Sequence, residues 1–240
     1  MSLKHKLRRI VNKIGLDIHP YPYMEQRSKM IALSHFNINL IFDIGANYGL
    51  YALELRELGY DKKIVSFEPL NKVYASLKKT ASKDSNWKVD NIALGNKDGE
   101  DYINISKNTH SSSILNTLPL HTDAAPESVY IDKQKIIIKR LDSIFSNYYE
   151  SGDNVFLKID TQGFEKYVLE GAENSLANVS GIQLEMSLTP LYEGTPLYLD
   201  MIEYMDKRGF QLFALENGFG DHRNGQQLQI DGTFYRKELI

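Results

Sequence analysis

The stretch Leu40-Ile41-Phe42-Asp43-Ile44-Gly45-Ala46-Asn47-Tyr48-Gly49 decides the fold. Its first five residues are an apolar run ending near one carboxylate, as expected of a short strand buried on both faces of a parallel sheet. Gly45 and Gly49 mark a tight turn. Leu50, Leu53, Leu55 and Leu58 then keep a helical segment apolar until Gly59 stops it. A strand, a glycine turn and a helix in that order form the place where open α/β sheets bind nucleotide-like ligands.

Working outward, Glu68 follows Asp43 by twenty-five residues and ends a second strand, Lys63-Ile64-Val65-Ser66-Phe67. A carboxylate there can accept hydrogen bonds from both hydroxyls of a ribose. The glycine spacing narrows the ligand. A dinucleotide fingerprint needs G-x-G-x-x-G, whose middle glycine lets the backbone approach a pyrophosphate. Here the turn reads Gly45-x-x-x-Gly49, with Ala46 and Asn47 in between, and the chain has no G-x-x-x-x-G-K-[ST] loop. Asp43, just before the turn, suits a cationic group better than a phosphate. S-adenosylmethionine carries a ribose, an ammonium, a sulfonium and no phosphate, so it fits better than NAD.

The rest of the chain alternates. Residues 24–36 read as a helix and 40–44 as strand one. Residues 63–67 are strand two, Pro69 opens a helix through Lys79, and 87–91 are strand three. Between Gly95 and Asn154 the alternation breaks. Asp101–Ser106 and Lys135–Lys139 read as strands around a polar stretch, Thr109–Ser113, and a loop over 116–130 with Pro119 and Pro126. An excursion this long is expected to be functional, so 96–153 reads as a β-hairpin insertion between strands three and four with a lid over the sheet's carboxyl edge. Strand four is Val155–Asp160, a helix follows over 164–171, and strand five is 181–186 with Glu185. A helix over 198–208 and strands at 210–215 and 232–236 close the chain. The expected domains are an N-terminal helical segment, 1–37, and one α/β domain, 38–240.

Composition bounds the function. With 240 residues, 42% hydrophobic and 25% charged, the chain can bury a sizeable core. The net charge of −3 gives no global attraction to nucleic acid or anionic membrane. No basic stripe or N-P-P-Y-type tetrapeptide for a flipped base points to nucleic acid either. There is no cysteine, which excludes disulfides, thiolate zinc sites and a cysteine nucleophile. No apolar run approaches the ~20 residues of a membrane span, and the basic N-terminus lacks the apolar core of a signal peptide, so a cytoplasmic location is expected. Leu3, Leu7, Ile10, Val11 and Ile14 share one helical face. That face is expected to pack on the domain or on a partner subunit of a homo-oligomer; a membrane-surface or partner-docking helix is the other reading.

Several blocks together resemble the FkbM family of S-adenosylmethionine-dependent methyltransferases. They are Phe42–Tyr51, Phe67-Glu68-Pro69, Asn91–Gly95, Leu141-Asp142-Ser143 and Leu157–Glu165. The last is the most specific, because D-x-E-G-F-E after a buried strand is unusual elsewhere. Here Gln162 stands where the family usually has Glu, so a charge supplied by that glutamate to a metal or a base is not carried over. The resemblance implies a Rossmann-like class I methyltransferase sheet of about seven strands, helices on both faces and an antiparallel last strand. It also implies O-methylation of a sugar, glycan or natural-product hydroxyl.

Position after strands one to three, supported by the resemblance, assigns the cofactor residues. Asp43, Gly45, Ala46, Asn47, Gly49 and Tyr51 are expected around the methionine end, Glu68 and Pro69 at the ribose, and Asn91 and Ala93 beside the adenine. Asp160 ends strand four next to the transferred methyl. It would contact the ammonium, act as base, or bind a divalent cation with Glu185 as a second oxygen ligand. Glu185, His110 and His222 are further candidates for the base. The competing readings are a catalytically inactive methyltransferase-like scaffold in a biosynthetic complex and an NAD-dependent sugar-modifying enzyme.

Overall fold

The computed structural model describes residues 3–240; Met1, Ser2 and the side chains of Leu3, Lys4 and Lys6 lie outside the described residues, which takes in part of the N-terminal apolar face. The strands are β1 Leu40–Ile44, β2 Lys63–Phe67, β3 Trp87–Asp90, β4 Ala93–Leu94, β5 Gly99–Ser106, β6 Tyr130–Lys139, β7 Val155–Ile159, β8 Val179–Ser187, β9 Phe210–Asn217, β10 Gly220–Asp221, β11 Gln226–Gln227 and β12 Gln229–Arg236. The helices are α1 Leu3–Asn12, α2 Met24–His35, α3 Leu50–Glu57, α4 Asn71–Ala81, α5 Pro119–Ala124, α6 Leu141–Ile144, α7 Glu165–Glu170 and α8 Tyr198–Asp206.

Seven strands form one sheet in the order β3-β2-β1-β7-β8-β12-β9. The pairs from β3 to β8 are parallel, and β12 runs antiparallel between β8 and β9. The mixed seven-stranded α/β sheet with its antiparallel last strand is therefore present. The strand order reverses between β1 and β7, which opens a crevice at their carboxyl ends.

Strand alternation fills both faces. Phe42, Ile44, Leu157, Ile159 and Leu184 pack with Val168 and Leu169 of α7 and Met201 and Met205 of α8. Ile41, Ile64 and Phe156 point the other way, into a cluster with Leu33 of α2, Ala52 and Leu55 of α3 and Leu77 of α4. Since α2 packs into this core, the position near residue 37 divides the sequence and not the packing.

The excursion builds a second, three-stranded sheet. β5 pairs antiparallel with β6, and β6 pairs parallel with β4, in the order β4-β6-β5. The segment between β5 and β6 folds back over the crevice. Leu115 and Leu120 join a cluster with Leu191 and Tyr192 from the loop after β8, Phe219 from the loop after β9, and Leu228 between β11 and β12.

Several boundaries shift from the sequence reading, and the start of α4 shifts for a visible physical reason. α4 starts at Asn71 and not at Pro69. The Pro69 carbonyl accepts from Asn91 Nδ2 (3.1 Å) and Gln134 Nε2 (2.9 Å), and the Leu70 amide donates to Glu68 Oε1 (2.7 Å). The first residues after β2 are thus held as a turn.

Candidate active site

The turn after β1 owes its shape to its neighbours. Gly45, Asn47 and Gly49 have φ of 81°, 48° and 80°. A Cβ on Gly45 would stand 1.9 Å from the carbonyl oxygen of Asp160, so the end of β7 can approach only a glycine. The Gly45 and Ala46 amides donate to the Phe67 carbonyl at 3.1 and 3.0 Å, and the Asp160 amide donates to the Ile44 carbonyl at 3.0 Å. These bonds lock the ends of β1, β2 and β7 together around the crevice.

A cavity of about 290 Å³ opens there. Glu68, Pro69, Leu70, Ile92, Ala93, Leu94 and Phe164 line one end, while Asp160, Gln162 and Glu185 line the other. Thr109, His110, Ser112 and Ile114 of the β5–β6 segment also line it. Glu68 is buried at 4% exposure; Oε2 accepts from the Asn47 amide (2.9 Å) and Oε1 from the Leu70 amide. Burial pushes its carboxyl up to about 7 despite those two donors.

A second, more polar cleft of about 400 Å³ meets the first at Gly45, Asn47, His110 and Asp160. Lys29, Glu54, Lys158, Glu216 and Asp231 give it both signs of charge. Two of its lining side chains, Tyr51 and Gln183, bury an oxygen that has no hydrogen-bond partner. Lys158 Nζ lies 3.2 Å from Asp160 and 3.7 Å from Asp43. Burial opposes its charge, but the two carboxylates outweigh that and hold its pKa above the usual lysine range.

The polar end of the cavity is organised by Gln162, in a left-handed conformation at φ 56°. Its Nε2 donates to Asp160 Oδ1 and to Glu185 Oε2, both at 2.9 Å. Its Oε1 accepts from the Tyr192 hydroxyl at 2.6 Å, and its carbonyl accepts from Ser113 Oγ at 2.7 Å. Glu185 Oε2 also accepts from Gln229 Nε2 at 2.7 Å. Burial, then the neighbouring Asp160 and Glu165, pushes the Glu185 carboxyl well above the ordinary range. Glu165 holds the loop by accepting from the Thr161 and Gly163 amides, and burial raises it to about 7.

The structure brings together Gly45, Asn47, Glu68, Pro69, Ala93, Asp160 and Glu185 around the cavity. Ala46 and Tyr51 line the polar cleft. Other sequence candidates lie elsewhere. Asp43 faces neither opening: it is fully buried, and its Oδ2 accepts from Ser66 Oγ at 3.0 Å. Gly49 packs against Leu77 and Trp87. Asn91 ties the β2–α4 turn, donating to the Glu68 carbonyl at 2.8 Å. His222 is exposed in the β10–β11 turn and lines neither opening, whereas His110 lines both. Tyr192 and Gln229 were not legible as site residues; neither sits in a motif, and they reach the site from the loop after β8 and from the start of β12.

A divalent cation between Asp160 and Glu185 does not fit. The Gln162 amide nitrogen, a donor, occupies the position between the two carboxylates. Among the described residues no three His, Cys, Asp or Glu side chains are grouped to hold a metal.

A methyltransferase FkbM domain model matches residues 43–212, the span that builds this site. The chain belongs to the FkbM methyltransferase domain family. No curated protein matches this FkbM domain in sequence. Solved structures similar to it include a Streptococcus pneumoniae protein in complex with S-adenosyl-L-methionine (14% identity, 88% of this chain and 72% of that one, TM-score 0.48). Others are a precorrin-6y C5,15-methyltransferase from Geobacter metallireducens (13%, 92% and 94%, 0.44) and an rRNA methylase from Streptococcus thermophilus (12%, 86% and 95%, 0.44). The assignment of the FkbM domain rests on the matched model.

The buried carboxyls make stability depend on pH. Glu68 and Glu165 titrate near 7 and Asp231 near 6 in the folded protein, each above its ordinary value because of burial. The folded state therefore binds these protons more tightly than the unfolded chain. Stability falls as pH rises from the ordinary carboxylate range through about 7, and levels off above. The melting temperature of the ligand-free protein is expected to be higher at pH 5.5 than at pH 8; a flat or rising profile would contradict these environments.

Proposed function

We propose that the protein is an S-adenosylmethionine-dependent methyltransferase that methylates a hydroxyl of a sugar, glycan or natural product. The observation that carries the cofactor is Glu68, a buried carboxylate at the cavity wall beside the apolar surface of Ile92, Ala93, Leu94 and Phe164. It supports ribose at Glu68 and adenine against the apolar residues. The mixed charges of the adjoining cleft, Lys158 and Lys29 against Asp160 and Asp231, suit an α-amino carboxylate. Nothing around Gly45–Gly49 offers a cradle for two phosphates, which disfavours NAD.

The cofactor supplies a methyl on a sulfonium, whose leaving group is a neutral thioether. The protein's part is to align the acceptor, exclude water and remove the hydroxyl proton. Glu185 is the base we assign. It lines the cavity, burial and the neighbouring carboxylates make it more basic than an ordinary carboxylate, and Gln162 and Gln229 fix its orientation. Asp160 and Lys158 hold the junction of the two openings. The β5–β6 segment, bearing His110, covers the cavity and limits water. No step requires a cation at Gln162, so chelation is expected to leave turnover unchanged.

Calorimetric titration with S-adenosylmethionine, S-adenosylhomocysteine and NAD tests the reading. Binding of the first two and not of NAD is expected. NAD alone binding would overturn the reading, and none binding would favour the scaffold role.

A further inference from the structure

We propose that α1 is an interfacial anchor that lays its apolar side into an anionic lipid surface. Three observations carry this. First, α1 is amphipathic with one sign of charge. Residues 1–16 contain Lys4, Lys6, Arg8, Arg9 and Lys13 and no Asp or Glu, in a chain of net charge −3. The remainder is thus more acidic than the whole, so an anionic surface attracts this end and repels the rest.

Second, among the described residues the apolar side of this segment is left out of the fold's core. Leu7, Ile10 and Ile14 are 50%, 66% and 72% exposed. None of the hydrophobic clusters of the described residues includes an α1 side chain. The strip continues through Leu16, Ile18 and Tyr21. Nine of the twenty large hydrophobic side chains exposed among the described residues fall between Leu7 and Ile31. Such a concentration of exposed apolar side chains marks an interaction surface.

Third, the dimensions suit lying on a bilayer. No helix among the described residues is long and apolar enough to cross a membrane. Ten residues of helix extend about 15 Å, half a hydrocarbon core, which fits a helix lying in the interface plane. Basic side chains flanking an apolar stripe are the chemistry of an anionic lipid interface. Arg8 and Asp17 form an ion pair at 2.7 Å that ties the helix to the chain following it, leaving Arg9 and Lys13 as unpaired cations in the described ion-pair set.

Flotation of the full chain with phosphatidylcholine vesicles, with and without phosphatidylglycerol, tests this. Roughly tenfold or more binding to the anionic vesicles is expected, falling at high salt as surface charges are screened. Ile10→Asp with Ile14→Asp, and separately Arg9→Glu with Lys13→Glu, should each abolish it with an unchanged melting temperature, because α1 is outside the core. Absence of vesicle binding, equal binding to neutral vesicles, or binding undiminished in either variant would overturn the proposal. Concentration-dependent self-association lost in the isoleucine variant, without vesicle binding, would assign the face to a second copy instead.

Discussion

Glu68→Ala is expected to weaken S-adenosylmethionine binding roughly ten- to a hundredfold, the loss of two charge-assisted hydrogen bonds worth about 1–3 kcal/mol. A carboxylate offers about four lone-pair sites. The Asn47 and Leu70 amides take one on each oxygen, which leaves room for two ribose hydroxyls. The same contacts mean that the alanine variant also releases two backbone amides, so a lower melting temperature alone says nothing about the ligand. The pH dependence separates the effects. Hydroxyl donors favour the ionised carboxyl, and in the free protein Glu68 titrates near 7. Affinity should therefore rise as pH rises towards and through 7, with proton release on binding, and the dependence should be up to about tenfold per unit below 7. Glu68→Ala should flatten this slope. Unchanged affinity in a folded variant would refute the ribose site. A slope that survives would belong to another raised carboxyl, Glu165 at about 7 or Asp231 at about 6.

What the sequence disclosed follows from how local each feature is. β1, its glycine turn and Glu68 were legible because a buried strand, positive-φ glycines and a strand-end carboxylate are written within thirty residues. The family blocks pointed to the seven-stranded sheet. Asp43 shows the limit: its place before the turn was readable, but the direction of its side chain into the sheet, onto Ser66, depends on strand phase. His110 and His222 are alike in sequence, both polar loop residues. Only the path of the β5–β6 segment brings one to the cavity and leaves the other in solvent. Gln162 was readable as a departure from D-x-E-G-F-E. Its consequence was not, because Glu185 and Tyr192 reach it from later segments, and Gln229 from a third holds Glu185 in place.

That departure gives the second large effect. Gln162→Glu is expected to lower the melting temperature by roughly 6–24 °C at pH 8. The substitution removes two hydrogen bonds to carboxylates, about 1.5–3 kcal/mol each, in a chain where 1 kcal/mol shifts the midpoint by roughly 2–4 °C. It also sets a third negative charge between Asp160 and Glu185, in an environment that already raises the Glu185 carboxyl. The Tyr192 hydroxyl still has an oxygen to donate to, so the loop anchor survives and the loss is electrostatic. Two rescues follow from that assignment. Lowering the pH to 5.5 protonates one carboxyl and returns a donor, so the difference from the parent should shrink. Adding Ca²⁺ or Mg²⁺ should raise the variant's melting temperature and not the parent's, because three carboxylates present oxygen ligands where the amide nitrogen had stood. An unchanged melting temperature at pH 8 would show that the amide does not bridge the two carboxylates. A loss reversed by acid but not by either cation would mean that the three oxygens repel without reaching a common point. A loss reversed by both would identify the Gln162 amide as the neutral, permanent counterpart of a cation, which is why the parent's turnover is expected to withstand chelation.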